Sequence, residues 1–217
     1  MRHVLLACTL CDRSEGWSVH KPFHQLLRHA LWASLQSASP SRRIVMEEEE
    51  GRERQGHRPP DYVVDVSIVD DAVIHMMNRR HRGRDMPTNV LSFWDEQACD
   101  AWHSMSWTSH GMSRGTSRGL SRGMSRGMSQ DGRHRPSMAP WCLGDIILGY
   151  QTVMKESRAL SMTWYRHACR LIIHGGLHLV GYTHGTEGAY RLMEQKADKA
   201  WALTRAAMRD YDESMAG

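Results

Sequence analysis

Apolar positions along the chain fall into short runs and helical stripes, interrupted by two long polar stretches. Val4 to Cys11 is an apolar run of strand length, closed by a polar turn from Asp12 to Gly16. Phe23, Leu27, Ala30, Leu31 and Leu35 then recur at helical spacing and predict an amphipathic helix. Tyr62 to Val69 reads as a strong strand, and Asp70 or Asp71 can cap a helix from Ala72 to about Arg79. After the polar turn His81 to Asp85, Asn89 to Trp94 reads as another strand, and Leu143 to Tyr150 as a further one. Helices are predicted from about Gln151 to Arg158, from Thr163 to about Val180, and from Glu187 to about Met208. Strands and helices alternate early and helices dominate late, which predicts a mixed α/β, α+β single domain over residues 1–217 with a helical C-terminal part.

The two polar stretches read differently from the rest. Ser37 to Pro60 loses all periodicity and carries four consecutive glutamates, Glu47 to Glu50, so a flexible insertion is expected at about 37–60. Ser104 to Arg135 contains Ser-Arg-Gly-x four times from Ser113 to Met128 and is expected to be a second flexible insertion. Its arginines could touch RNA phosphates, though a tolerated loop expansion explains them as well.

Composition changes the picture little. With 217 residues, 41% hydrophobic and 24% charged, the chain is an ordinary globular length and mixture. The net charge of +4 is concentrated: residues 104–135 carry six arginines against one aspartate, +5, which leaves −1 for the remainder. A basic pI is therefore poor evidence for a nucleic-acid partner. Five cysteines, an odd number without framework spacing, read as reduced thiols; the Cys8–Cys11 pair has no second pair to answer it. Leu5-Leu6-Ala7-Cys8 resembles a lipoprotein cleavage box, but its apolar run from Val4 to Leu10 is at the lower limit. With no span of about 20 apolar residues, the expectation is a soluble cytoplasmic protein.

The chemistry is concentrated in His174-Gly-Gly-Leu-His178-Leu-Val-Gly181-Tyr-Thr-His184. His174 and His178 are four apart, so a helix places both imidazoles on one face within reach of one ion. Gly181 suits a left-handed helix end, after which His184 can return as a third ligand. Three imidazoles suit zinc, and nickel accepts the same set; they leave a fourth position open, as in catalytic sites. The metzincin proteases share this spacing, but their motif needs a Glu directly after the first His, and here that residue is Gly175.

Three separated blocks resemble the YbeY family of metal-dependent endoribonucleases. Asn78 to Phe93 is similar to N-x-x-[YH]-R-x-x-x-x-P-T-[DN]-V-L-S-F, Leu143-Gly144-Asp145-Ile146 to L-G-D-I, and the histidine block to H-G-x-L-H-L-x-G-Y-D-H. Thr183 stands where the family usually has Asp. The resemblance implies a mixed sheet of about four strands backed by helices, with the metal site in a cleft and Arg82 as the functional arginine beside it. Read alone, Arg82 in the turn His-Arg-Gly-Arg-Asp could equally be solvated or paired with Asp85. The resemblance further implies cleavage of single-stranded RNA, in 16S rRNA maturation and ribosome quality control, with the ribosome or its small subunit as partner. The ion would activate water or polarise a phosphate oxygen while Arg82 holds the phosphate. Two rival readings remain beside it: a peptidase or amidase, and a ribosome-assembly factor with a structural metal.

Overall fold

The computed structural model describes residues 3–12, 21–39, 43–46, 62–99 and 141–216. Its strands are β1 (His3–Asp12), β2 (Arg43–Met46), β3 (Tyr62–Val69), β4 (Val90–Trp94) and β5 (Trp141–Gly149). The helices, beyond a single turn at 96–99, are α1 (Lys21–Ala38), α2 (Asp71–Arg82), α3 (Tyr150–Ala159), α4 (Trp164–Leu179) and α5 (Glu187–Ala216). The strand order is β2-β1-β3-β5-β4, parallel throughout except for β4, which runs antiparallel to β5 at one edge. The mixed α+β architecture expected from the alternation of elements is present.

All four expected strands form, and β2 joins them as a fifth. It lies inside the stretch read as an insertion from residue 37, and α1 itself runs to Ala38. That reading of 37–60 is corrected to this extent; residues 40–42 and 47–61 lie outside the described residues, as does the whole of 104–135. Four residues are too few to show a period of two, so β2 has no pattern of its own to read. Tertiary bonds hold it instead: Gln36 Oε1 accepts from the Ile44 N–H at 2.9 Å, and Trp32 Nε1 donates to the Ile44 carbonyl at 2.8 Å.

Alternation along the strands divides the core between the two faces of the sheet. Val64, Val66 and Ile68 of β3 and Ile146 and Leu148 of β5 join the main core with α1, α4 and α5. Val69, Leu91 and Ile147 form a smaller cluster with Ile74 of α2, flanked by Met77 and Phe93. The aspartates expected to cap α2 do something else. Asp70 sits at the N-cap without a side-chain cap bond and accepts from Gln151 Nε2 at 3.0 Å. Asp71 accepts from the Thr152 backbone N–H and hydroxyl at 3.0 and 2.7 Å, so the pair ties α2 to the start of α3.

Helix α4 lies deepest, with ten of its sixteen residues buried. It sinks so far because Gly175 and Gly176 carry no side chain. A Cβ on Gly175 would lie 2.8 Å from Ser92 Oγ and 3.1 Å from Ile146, and one on Gly176 would lie 2.2 Å from Ser34 Oγ. Gly176→Ala gains about 1 kcal/mol in helix propensity but overpacks the α1 contact at roughly 1–3 kcal/mol. It is expected to lower the urea unfolding midpoint, and a Ser34→Ala background should return most of the loss; a double-mutant cycle checks the coupling.

Candidate metal centre and anion cleft

The seating of α4 turns one strip of it, carrying His174 and His178, toward β4. Both imidazoles are half-buried, with ring centroids 4.5 Å apart and Nε2 atoms at 3.0 Å. Two ring nitrogens this close need a proton or a cation between them. The helix then ends as its spacing predicts. Gly181 takes φ +86°, its N–H bonds to the His178 carbonyl at 2.9 Å, and the Tyr182 N–H bonds to the Leu177 carbonyl at 3.1 Å. This reversal brings His184 back, its ring 5.1 Å from His178 and 5.7 Å from His174. One nitrogen from each of the three lies within 4.8 Å of the other two.

The donor set fits a transition-metal ion. Ligands about 2.0–2.1 Å from a tetrahedral zinc stand roughly 3.3 Å apart, close to the observed His174–His178 separation. His178 is also oriented as a ligand must be. Its Nδ1–H donates to the Tyr182 carbonyl at 2.8 Å, which leaves the Nε2 lone pair for the cluster. His184 is exposed, and Thr183 beside it, also exposed, forms no bond among the described residues that would steer it.

Electrostatics keep the two half-buried imidazoles, His174 and His178, neutral. Burial, then the neighbouring His178 and His184, then Arg82, push His174 down to about 4. Burial also lowers His178, against the opposing pull of the Tyr182 carbonyl. Metal ligands must be deprotonated, so these environments prepare them for a cation.

The histidines form one wall of a cleft of about 460 Å³, whose other lining residues are Arg82, Arg84, Asn89, Val90 and Ser92. Arg82 is the last residue of α2, and the turn at Gly83 (φ +67°) sets Arg84 beside it. Buried Asn78 fixes this turn by donating from Nδ2 to the Met86 carbonyl at 2.8 Å. Asp85 does not pair with Arg82; it engages His75 Nε2 at 2.8 Å and Arg79 at 3.8 Å. Burial and then the Arg84 charge lower the Arg82 pKa from its ordinary value, as expected for a guanidinium facing an anion site before the anion arrives.

Sequence reasoning gave no role to Asn89, Arg84 or Ser92, nor to the pair beneath them. Glu156 of α3 accepts from Asn89 Nδ2 at 2.9 Å and from His167 Nε2 of α4 at 2.7 Å, with His167 only 6% exposed. Asn89 Oδ1 accepts from the Val90 N–H at 2.7 Å, so its amide is held from both ends at the cleft wall. The Arg84 signal was its place two residues beyond Arg82. The Asn89–Glu156–His167 chain had none, because its members are joined only by the fold.

A mixed α+β fold carries a three-imidazole cluster that could hold a metal ion, opening on a cleft that among the described residues holds two arginines and no carboxylate, a lining suited to anions. The family model described as Endoribonuclease YbeY matches residues 40–204, and the chain belongs to that family. Among proteins called Endoribonuclease YbeY, that of Sphingopyxis alaskensis is 36% identical over 139 residues, 64% of this chain and 66% of that protein. Those of Magnetococcus marinus and Paramagnetospirillum magneticum are 33% and 35% identical, over 56% and 58% of this chain and 63% and 58% of theirs. The chain thus spans somewhat less than two thirds of the length of these relatives. A solution structure of a Thermotoga maritima protein matches 92% of both chains at 17% identity and a TM-score of 0.42, a likeness that bears on neither fold nor chemistry.

The depressed His174 has a consequence for the metal-free protein. Its folded pKa lies below the unfolded value, so the unfolded chain binds more protons and stability falls as pH drops from about 6.5 toward 4. Chelator-treated protein should show this decline in its urea midpoint, and His174→Gln should flatten it. Equal slopes for both proteins would mean that His174 protonates freely.

Proposed function

We propose that this chain is a metal-dependent endoribonuclease that cleaves single-stranded RNA. One observation carries the reading: among the described residues, the cleft beside the three imidazoles is lined by two guanidiniums and no carboxylate. A phosphodiester gains negative charge in its transition state, and that lining suits it. The name Endoribonuclease YbeY, borne by the relatives and by the matching family, points the same way.

His174, His178 and His184 would hold the ion, which when bound supplies a Lewis acid at the reacting phosphate. Arg82, which has no ion-pair partner among the described residues because Asp85 is engaged elsewhere, binds the non-bridging oxygens. Arg84 adds a second cation at the same wall, and the held amide of Asn89 offers a neutral donor.

The finer parts of the proposal are zinc as the ion, 16S rRNA maturation and ribosome quality control as the cellular role, the small ribosomal subunit as the setting, and the cytoplasm as the location. They rest on the donor set and on the family resemblance of the three motif blocks. Among the described residues no helix is long and apolar enough to cross a membrane. Hydrolysis of peptides by the metzincin route is disfavoured by packing: position 175, where that base would stand, faces Ser92 and Ile146 with no room for a side chain.

Metal content by mass spectrometry and cleavage of a single-stranded RNA, measured on the same samples, test the proposal. Wild type should carry about one ion per chain and cleave, and His178→Ala should lose both ion and cleavage. Arg82→Ala should keep the ion and lose roughly 10²–10³ in rate, the usual cost of one transition-state donor. Cleavage unaffected by either substitution would overturn it. Metal retention without RNA cleavage by wild type would favour an assembly factor with a structural ion.

A further inference from the structure

Of the five tryptophans in the described residues, Trp32, Trp141, Trp164 and Trp201 pack against the main core, while Trp94 is 50% exposed. A single exposed aromatic is ordinary on a protein surface, so exposure alone assigns nothing. Its place on β4 does. Leu91 belongs to the small core beneath α2, and Phe93 packs against it. On the opposite face, Val90 belongs to the main core, Ser92 meets Gly175 of α4, and both residues line the cleft. Trp94 is the next residue on that face, about 7 Å beyond Ser92 along the strand.

The backbone that carries this indole is fixed. Trp94 pairs with Gly144 across the β4–β5 ladder, where the strands lie so close that a Cβ on Gly144 would stand 1.9 Å from the Phe93 carbonyl oxygen. Immediately after it, the Asp95 N–H bonds to the Leu143 carbonyl at 3.1 Å, and the Asp95 carboxylate accepts from the Ala98 N–H at 2.8 Å. A half-exposed indole is therefore presented from a rigid edge strand beside an anion cleft.

We propose that Trp94 is a stacking platform for a base of the nucleic acid whose phosphodiester occupies the cleft, an inference that rests on the ribonuclease reading above. Guanidiniums at the cleft recognise phosphates, which single and double strands both possess. A stacking indole adds what they lack, because only an unpaired base can turn its face to it, and every base has such a face. Preference for single strands over duplexes then comes from Trp94 and not from the arginines, and it tolerates any sequence.

The test uses the full-length, metal-loaded protein and two uncleavable 2′-O-methyl phosphorothioate oligonucleotides of equal length, one bearing bases and one abasic. Trp94→Ala should weaken binding of the base-bearing strand roughly tenfold or more and leave the abasic strand unchanged. Trp94→Phe should bind both nearly as wild type does. Equal affinity of wild type and Trp94→Ala for the base-bearing strand would overturn the proposal, as would an equal loss on both strands. RNA cleavage and metal content of the same samples separate the two readings. Wild type that binds and cleaves beside an unaffected Trp94→Ala retires the platform alone, whereas wild type that neither binds nor cleaves retires both.

Discussion

The contact on which the site depends is the close approach of α4 to α1 on one side and to β4 and β5 on the other, at two adjacent residues without side chains. Gly175 lets the helix touch Ser92 and Ile146, and Gly176 lets it touch Ser34. A helix gripped on both flanks is buried nearly all round, and the strip left half-open carries His174 and His178. The same depth places Ser92 against the helix and makes β4 the second wall of the cleft. Lift the helix by the thickness of a methyl group, and the histidines move away from Arg82 and Asn89 together.

Charge follows from that packing. Among the described residues the cleft gathers three imidazoles and two guanidiniums without a carboxylate, so protonation of His174 and His178 is opposed by burial and by their cationic neighbours. Neutral imidazoles are what a metal ion needs as ligands. A bound ion would add positive charge to a wall already positive, a cost that an anion entering the cleft would offset. A bound cation and an anion in the cleft would therefore favour one another's binding, since their opposite charges offset each other. Asp85 contributes indirectly: by pairing with His75 and Arg79 it leaves the nearest carboxylate of the turn unavailable to Arg82.

What could be read from the sequence was what is local. Histidines four apart and a glycine three beyond belong to one helix and its end, so their geometry is contained in their spacing, and Gly181 takes the left-handed conformation expected of it. The strand from Tyr62 to Val69 announces itself by its own alternation and is found at those bounds. What escaped was held together by distant residues. Four-residue β2 exists because Gln36 and Trp32 of the preceding helix satisfy Ile44. Asn89, Glu156 and His167 meet only after three elements have packed. Asp70 and Asp71 have the composition of caps, yet their carboxylates serve Gln151 and Thr152, 81 residues away. Whether Arg82 pairs with Asp85 likewise turned on where Asp85 points, which spacing does not encode.

The histidine spacing alone would also suit a peptidase, and the difference lies in a single position whose meaning is mechanical. A Glu at residue 175 would have to share space with Ser92 and Ile146, so the helix would have to rise from the sheet to admit it. Rising would open the cleft between the histidines and β4, the cleft in which Arg82, Arg84 and Asn89 converge. A base on the helix and an anion wall on the strand are thus alternative uses of one gap. In this chain the gap is closed by glycine, and the neighbouring open cleft is lined by two exposed guanidiniums beside the three imidazoles. Such a lining suits an anion better than a neutral amide.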